Sequence, residues 1–215
     1  PESLAAFKDV KLDLEFGKIT TIYTLNQMDC EKVVVVGLGD GKKNIKEAYS
    51  KVDADDYLAY VNEKTAYAAG FGLVYGAYSY KETKVYELEC DSFKAEFEKG
   101  MMVARIVNHA REISDMPANY LTPDHLVDES KMIAEKYNME IEVLAQEDLE
   151  EIGVGALLAV NQGSDRPCYM VVLRYDGGKE DEEYTALVGK GLTYDAGGYN
   201  IKSNMHGMKY DMCGA

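Results

Sequence analysis

Val188-Gly189-Lys190-Gly191-Leu192-Thr193-Tyr194-Asp195-Ala196-Gly197-Gly198-Tyr199-Asn200-Ile201-Lys202 decides how this chain is read. The short apolar run Ala186–Val188 in front of it predicts a buried strand, so Lys190, Asp195 and Lys202 follow a strand's carboxyl end. In open α/β sheets that is where ligands bind. Gly189 and Gly191 flank a lysine that has to leave an apolar strand, and Gly197-Gly198 lets the backbone turn tightly or approach a ligand closely. Farther on, Met208-Lys209-Tyr210-Asp211-Met212 sets a carboxylate between two methionines, which is costly unless positive charge meets it. Singly, each feature has an ordinary reading: Lys190 as a solvated lysine, Asp195 as a turn residue, Asp211 with Lys209 as a surface pair of little value. Lys190 and Lys202 with Asp195 and Asp211, gathered in one short stretch beside a glycine-rich strand end, are denser than a solvated loop requires.

Working outward, the rest of the chain alternates strands and helices. Ile19–Tyr23 and Val33–Val36 read as strands, the second running into Gly37-Leu38-Gly39-Asp40-Gly41. Ile45–Ala48 and Asp56–Ala69 read as helices and Val85–Leu88 as a strand, an order typical of a three-layer α/β unit. From Ser92 to Ile113, Phe93, Phe97, Met101, Ala104 and Val107 recur on one helical face, so a long helix connects two domains. Asp115-Met116-Pro117-Ala118-Asn119 breaks it, and Thr122-Pro123 opens another with Thr122 as N-cap. That helix runs to about Lys136. Met139–Leu144 and Met170–Tyr175 then read as strands, with a short helix over Gln146–Ile152.

Composition narrows the function. Hydrophobic residues make up 47% of the 215, enough for a real core rather than a disordered chain. A formal charge of -15 repels phosphate backbones, which argues against nucleic acid and against DNA-binding regulation. Cys30, Cys90, Cys168 and Cys213 form no C-x-x-C pair and fit a reducing cytoplasm. No apolar run approaches the roughly 20 residues needed to span a bilayer. Pro1-Glu2-Ser3 shows no signal peptide and no initiator Met, and reads as an internal point of a longer chain. The glycine turn after the second strand fails both nucleotide fingerprints: the third glycine of G-x-G-x-x-G falls on Lys42, and Lys43 is followed by Asn44. His109, His125 and His206 share no metal-ligand spacing. The first two fall on helices as structural or exposed residues, and His206 lies near the site loop where it could touch substrate.

The stretch Val188 to Ala215 resembles the signature of the leucyl aminopeptidase (cytosol aminopeptidase) family, V-G-K-G-hydrophobic-T-[FY]-D-[SA]-G-G-x-x-[IL]-K followed by M-K-x-D-M-x-G-A. Upstream, the glycine- and tyrosine-rich Phe71–Tyr78, the Asp115–Pro123 turn and Gly153–Ser164 resemble further family segments. The resemblance implies an α/β fold: an N-terminal macro-like three-layer domain over residues 1–91, a linker helix over 92–116, and the first part of an α/β metallopeptidase catalytic domain over 117–215. It implies two divalent metal ions, Zn²⁺ or Mn²⁺, with Co²⁺ and Mg²⁺ left open by ligand type. Lys190 would ligate one metal through a neutral amine, a form that burial and an adjacent cation favour. Asp195 would bridge the two metals, and Asp211 would join Lys190 on the first. Lys202 would stay charged, as the catalytic group on the scissile carbonyl.

Peptides are the implied substrates, leucine-like N-terminal residues the implied product, and a homo-hexamer in the cytoplasm the implied assembly. The chain departs from the pattern in two places. It stops at Ala215 before the family's Asp-x-Glu-x-Arg motif, so it reads as a partial enzyme, inactive alone on leucyl-p-nitroanilide even with added Mn²⁺. Its Ser203–Lys209 segment is also shorter than usual. The rival reading is a non-catalytic macro-like module for assembly or for capture of an ADP-ribose-like ligand, and sequence beyond Ala215 separates the two.

Overall fold

Strand β1 (Ile19–Tyr23) and strand β2 (Lys32–Val36) form an antiparallel pair with Ile19 opposite Val36 and Tyr23 opposite Lys32, as their β-branched runs lead one to expect. These positions come from a computed structural model that describes residues 10–24, 30–53, 57–59, 61–84, 88–178 and 183–202. The chain divides into two compact units, Pro1–Glu112 and Ile113–Ala215. The fold is α/β in both.

In the first unit, Thr24 closes the β1–β2 connection. Its buried hydroxyl donates to the carbonyl of Cys30, and its backbone N–H donates to Glu31 O at 2.9 Å. After helix α1 (Ile45–Tyr49), strand β3 (Tyr57–Ala59) runs parallel to strand β4 (Leu88–Cys90), with helix α2 (Ala66–Gly76) between them in sequence. Here the structure corrects the helix expected over Asp56–Ala69. Apolar spacing of mixed three and four residues does not distinguish a short strand followed by a turn from a helix, and pairing with β4 decides for the strand. A turn then delays the helix: Asn62 N–H donates to Thr65 Oγ1 at 3.0 Å, and Ala66 N–H donates to Asn62 O at 2.9 Å. Of the strand expected over Val85–Leu88, only Leu88 falls among the described residues, and the pairing extends from it to Cys90.

Val52, Ala66, Ala69, Leu73, Phe97 and Met101 form the core of this unit, backed by Val34 and Val36 of β2. Phe97 and Met101 belong to helix α3 (Lys94–Asp115), whose expected apolar face is largely the buried one. Phe93 is the exception: it precedes the helix, with a left-handed φ of 55°. Two glycines bring α2 and α3 together. A Cβ on Gly70 would lie 2.1 Å from Phe97 O, and one on Gly100 would lie 2.2 Å from Tyr67 O. At an exposed helical site Gly→Ala stabilises by roughly 1 kcal/mol. Gly100→Ala is expected to reverse that sign and destabilise by about 1–3 kcal/mol, because the helices have to part. Urea unfolding of the purified variant checks it. Arg111 fixes the end of the same contact. Its guanidinium donates to Tyr75 O and Asn108 Oδ1, each at 3.0 Å, and lies over the rings of Tyr75 and Tyr78.

The second unit contains helix α4 (Pro123–Tyr137). Thr122 caps it as expected, its hydroxyl accepting from the His125 N–H at 3.3 Å with Pro123 in the first turn. Asn138 ends it in the left-handed region, where a short polar side chain is tolerated, and turns the chain into strand β5 (Glu140–Leu144). Short helices α5 (Gln146–Glu151) and α6 (Gly155–Asn161) lead to strand β6 (Met170–Arg174), antiparallel to β5. Tyr169 ties the entrance of β6 to α4 by donating to Asp124 Oδ1 at 2.7 Å.

The buried strand expected over Ala186–Val188 is not found. Among the described residues no strand pairs with this run, and Leu187 and Val188 are 94% and 98% exposed. Apolar, β-branched composition makes a segment fit for a sheet, but it becomes a strand only where a neighbouring backbone supplies the ladder.

Candidate functional site

The loop after Val188 folds back on itself around one carboxylate. Asp195 Oδ2 accepts from Lys190 Nζ at 2.7 Å and lies 3.1 Å from Lys202 Nζ. Asp195 Oδ1 accepts from the Gly197 backbone N–H at 2.8 Å, a side-chain turn typical of aspartate. The carboxylate is well shielded, while Lys190 stays largely exposed and Lys202 is mostly covered. The Lys190 ammonium beside it, then the Gly197 N–H, then Lys202 hold the Asp195 carboxyl far below the usual carboxylate range.

The backbone explains how residues twelve positions or fewer apart meet. Gly197 has φ 74° and ψ 170°, a conformation essentially reserved for glycine. A single 3₁₀ turn, Gly198–Asn200, follows, with Tyr199 and Asn200 at left-handed φ values of 56° and 55°. Lys202 N–H then donates to Ala196 O at 3.1 Å and closes the loop, so the Lys202 side chain returns over Gly197 to Asp195. At the other end, Gly191 faces Leu126 of α4. Asn200 tolerates that region as Asn138 does, whereas Tyr199 is strained there.

Three of the four residues singled out from the sequence are therefore brought together: Lys190, Asp195 and Lys202. Asp211 lies outside the described residues, as do His206 and Cys213. His125 stands on α4 with Nε2 3.6 Å from Glu129 Oε1, and His109 is on α3. The sequence reading missed the Gly197 N–H as the third partner of Asp195. The signal was available, because an aspartate two residues before a glycine is the pattern of a side-chain-closed turn.

The donor set suits part of a divalent-cation site. One amine nitrogen and one carboxylate oxygen converge, and Oδ2 is placed to meet positive charge. Among the described residues no three His, Cys, Asp or Glu side chains group as a metal site, and Asp211, the further ligand expected from the sequence, lies outside them.

Comparison with known proteins agrees with the class. The family model for the cytosol aminopeptidase family, catalytic domain, matches residues 108–215. A probable cytosol aminopeptidase of Azotobacter vinelandii is 32% identical over 249 aligned positions, which cover 98% of this chain and 50% of that protein. Among solved structures, the bottromycin maturation enzyme BotP in complex with Mn is similar over 97% of this chain and 50% of its own, with a TM-score of 0.78 at 24% identity. A mutant of tomato leucine aminopeptidase is similar over 97% of this chain and 46% of its own, with a TM-score of 0.72 at 24% identity. The two structural likenesses speak to the fold, which is α/β. The chain belongs to the cytosol aminopeptidase family. It spans about half the length of the curated relatives it matches.

Proposed function

We propose that the protein removes N-terminal residues, leucine-like ones, from peptides with the help of two divalent metal ions. The observation that carries this reading is the convergence of Lys190 and Lys202 on a single oxygen of Asp195, in a chain of the aminopeptidase family. Lys190 and Asp195 would hold one cation together with Asp211, and Asp195 would also face the second. The bound ions supply Lewis-acid activation of the attacking water and a grip on the substrate's free α-amine. The Mn present in the BotP complex supports a divalent metal, and Zn²⁺, Mn²⁺, Co²⁺ and Mg²⁺ all accept these donors.

Lys202 has a different task. Its ammonium sits 3.1 Å from Asp195 and would donate to the scissile carbonyl oxygen as negative charge develops there. Asp195 orients that ammonium, and the closure of the loop by the Lys202 N–H keeps it near the reacting centre.

The same family membership supports a cytoplasmic location and a homo-hexamer. No helix of the described residues is long and apolar enough to cross a membrane. The test is hydrolysis of leucyl-p-nitroanilide by the full-length protein with Mn²⁺. Turnover is expected to depend on the added metal and to vanish on the N-acetylated substrate, which has no free α-amine. Equal turnover of the acetylated substrate, or no turnover of either, overturns the reading.

A further inference from the structure

Gly197 does two things at once in the loop. Its N–H fixes Oδ1 of Asp195, which turns Oδ2 toward the lysines. Its missing side chain leaves the lane through which Lys202 returns: a Cβ there would lie 2.8 Å from Ile201 Cγ2, 3.3 Å from Lys202 Cγ and 3.7 Å from Lys202 Cε. The φ of 74° with ψ of 170° means that any L side chain strains the backbone as well as filling the lane. The N–H and the lane serve the two ends of one contact, the Asp195–Lys202 pair.

We propose that Gly197 is a positioning residue for the peptidase reaction, acting through Lys202: it holds the acceptor oxygen and keeps open the path by which the lysine reaches it. The inference rests on the function proposed above and adds a determinant of geometry to it. A glycine needed only for folding would affect stability and leave the contribution of Lys202 intact. A positioning glycine makes the contribution of Lys202 conditional on itself.

A double-mutant cycle in the full-length protein separates these. Lys202→Ala in the parent is expected to lower kcat by about 100-fold or more, and Gly197→Ala alone by about 100-fold at saturating Mn²⁺. In the Gly197→Ala background, Lys202→Ala is expected to cost less than about 5-fold, because the lysine is already misplaced. A second readout needs neither metal nor substrate. Lys202→Ala is expected to move the ¹³C resonance of the Asp195 carboxyl in the parent and to leave it unmoved in the Gly197→Ala background. Should Gly197→Ala unfold, the pair Gly197→Ala/Ile201→Ala, which removes the closest atom, carries the same cycle. Additive losses in kcat, or an equal carboxyl shift in both backgrounds, overturn the positioning role while leaving the proposed function standing. If Lys202→Ala leaves kcat of the parent unchanged, the role of Lys202 falls and the positioning role with it, whereas the proposed function falls only if the parent turns over no free-amine substrate.

Discussion

Asp195→Asn is expected to abolish peptidase turnover, with a loss of about 1,000-fold or more, and to weaken Mn²⁺ binding together with it. The substitution keeps the shape of the side chain and removes its charge. In the native loop that charge satisfies two ammonium groups through one oxygen and anchors the turn through the other. An amide offers one acceptor oxygen and a donor that points at lysines already rich in donors. The two cations then face each other without a negative charge on the side chain between them, and any metal held there loses an anionic ligand. Outer-shell changes at metal sites cost roughly 10–100-fold in affinity or activity. A residue proposed both to ligate and to organise two neighbours is expected to cost more. Calorimetric titration with Mn²⁺ and the leucyl-p-nitroanilide assay on the same preparation check both halves. Retention of metal affinity with only a small loss of turnover would place the metal elsewhere.

Lys202→Ala is expected to show the opposite split. In the proposed mechanism its loss removes a donor to the developing oxyanion and should lower kcat by about 100- to 1,000-fold, the range measured for single oxyanion donors. Mn²⁺ affinity should be nearly unchanged, since Lys190 and Asp195, the two groups proposed to hold the cation, are both kept. KM should also change little, because the interaction strengthens only as charge builds on the oxygen. Lys190→Ala is the natural contrast, expected to reduce metal affinity first and turnover as a consequence. If the two lysines gave the same pattern, the division of labour between ligand and donor would be wrong.

The sequence carried the local structure where local physics decides it. Thr122-Pro123 announced a helix start because an N-cap hydroxyl and a fixed φ act over a few residues, and the cap is present. The stripe from Phe97 through Met101 to Ala104 predicted the buried face of α3 because a period near 3.6 is a property of one element alone. The sequence was least informative where a distant partner decides. The run Tyr57–Ala59 becomes a strand through pairing with Leu88–Cys90, and Ala186–Val188, of similar composition, does not pair within the described residues. At the site, Lys190, Asp195 and Lys202 could be singled out together, since the glycines around them showed that the loop could fold back. The turn closed by the Gly197 N–H could have been read from an aspartate two residues before a glycine, but the left-handed conformation of Tyr199 has no side-chain signature that announces it.

The central claim is that Lys190 and Asp195 share one divalent cation. Anomalous diffraction from crystals of the full-length protein soaked in Mn²⁺ addresses it without reference to substrate. The expected result is a peak within about 2.0–2.3 Å of both Lys190 Nζ and an Asp195 carboxylate oxygen, with Lys202 Nζ outside the coordination sphere. A well-ordered loop in which Lys190 still donates to Asp195 and the Mn²⁺ peak lies elsewhere, or is missing, would contradict it.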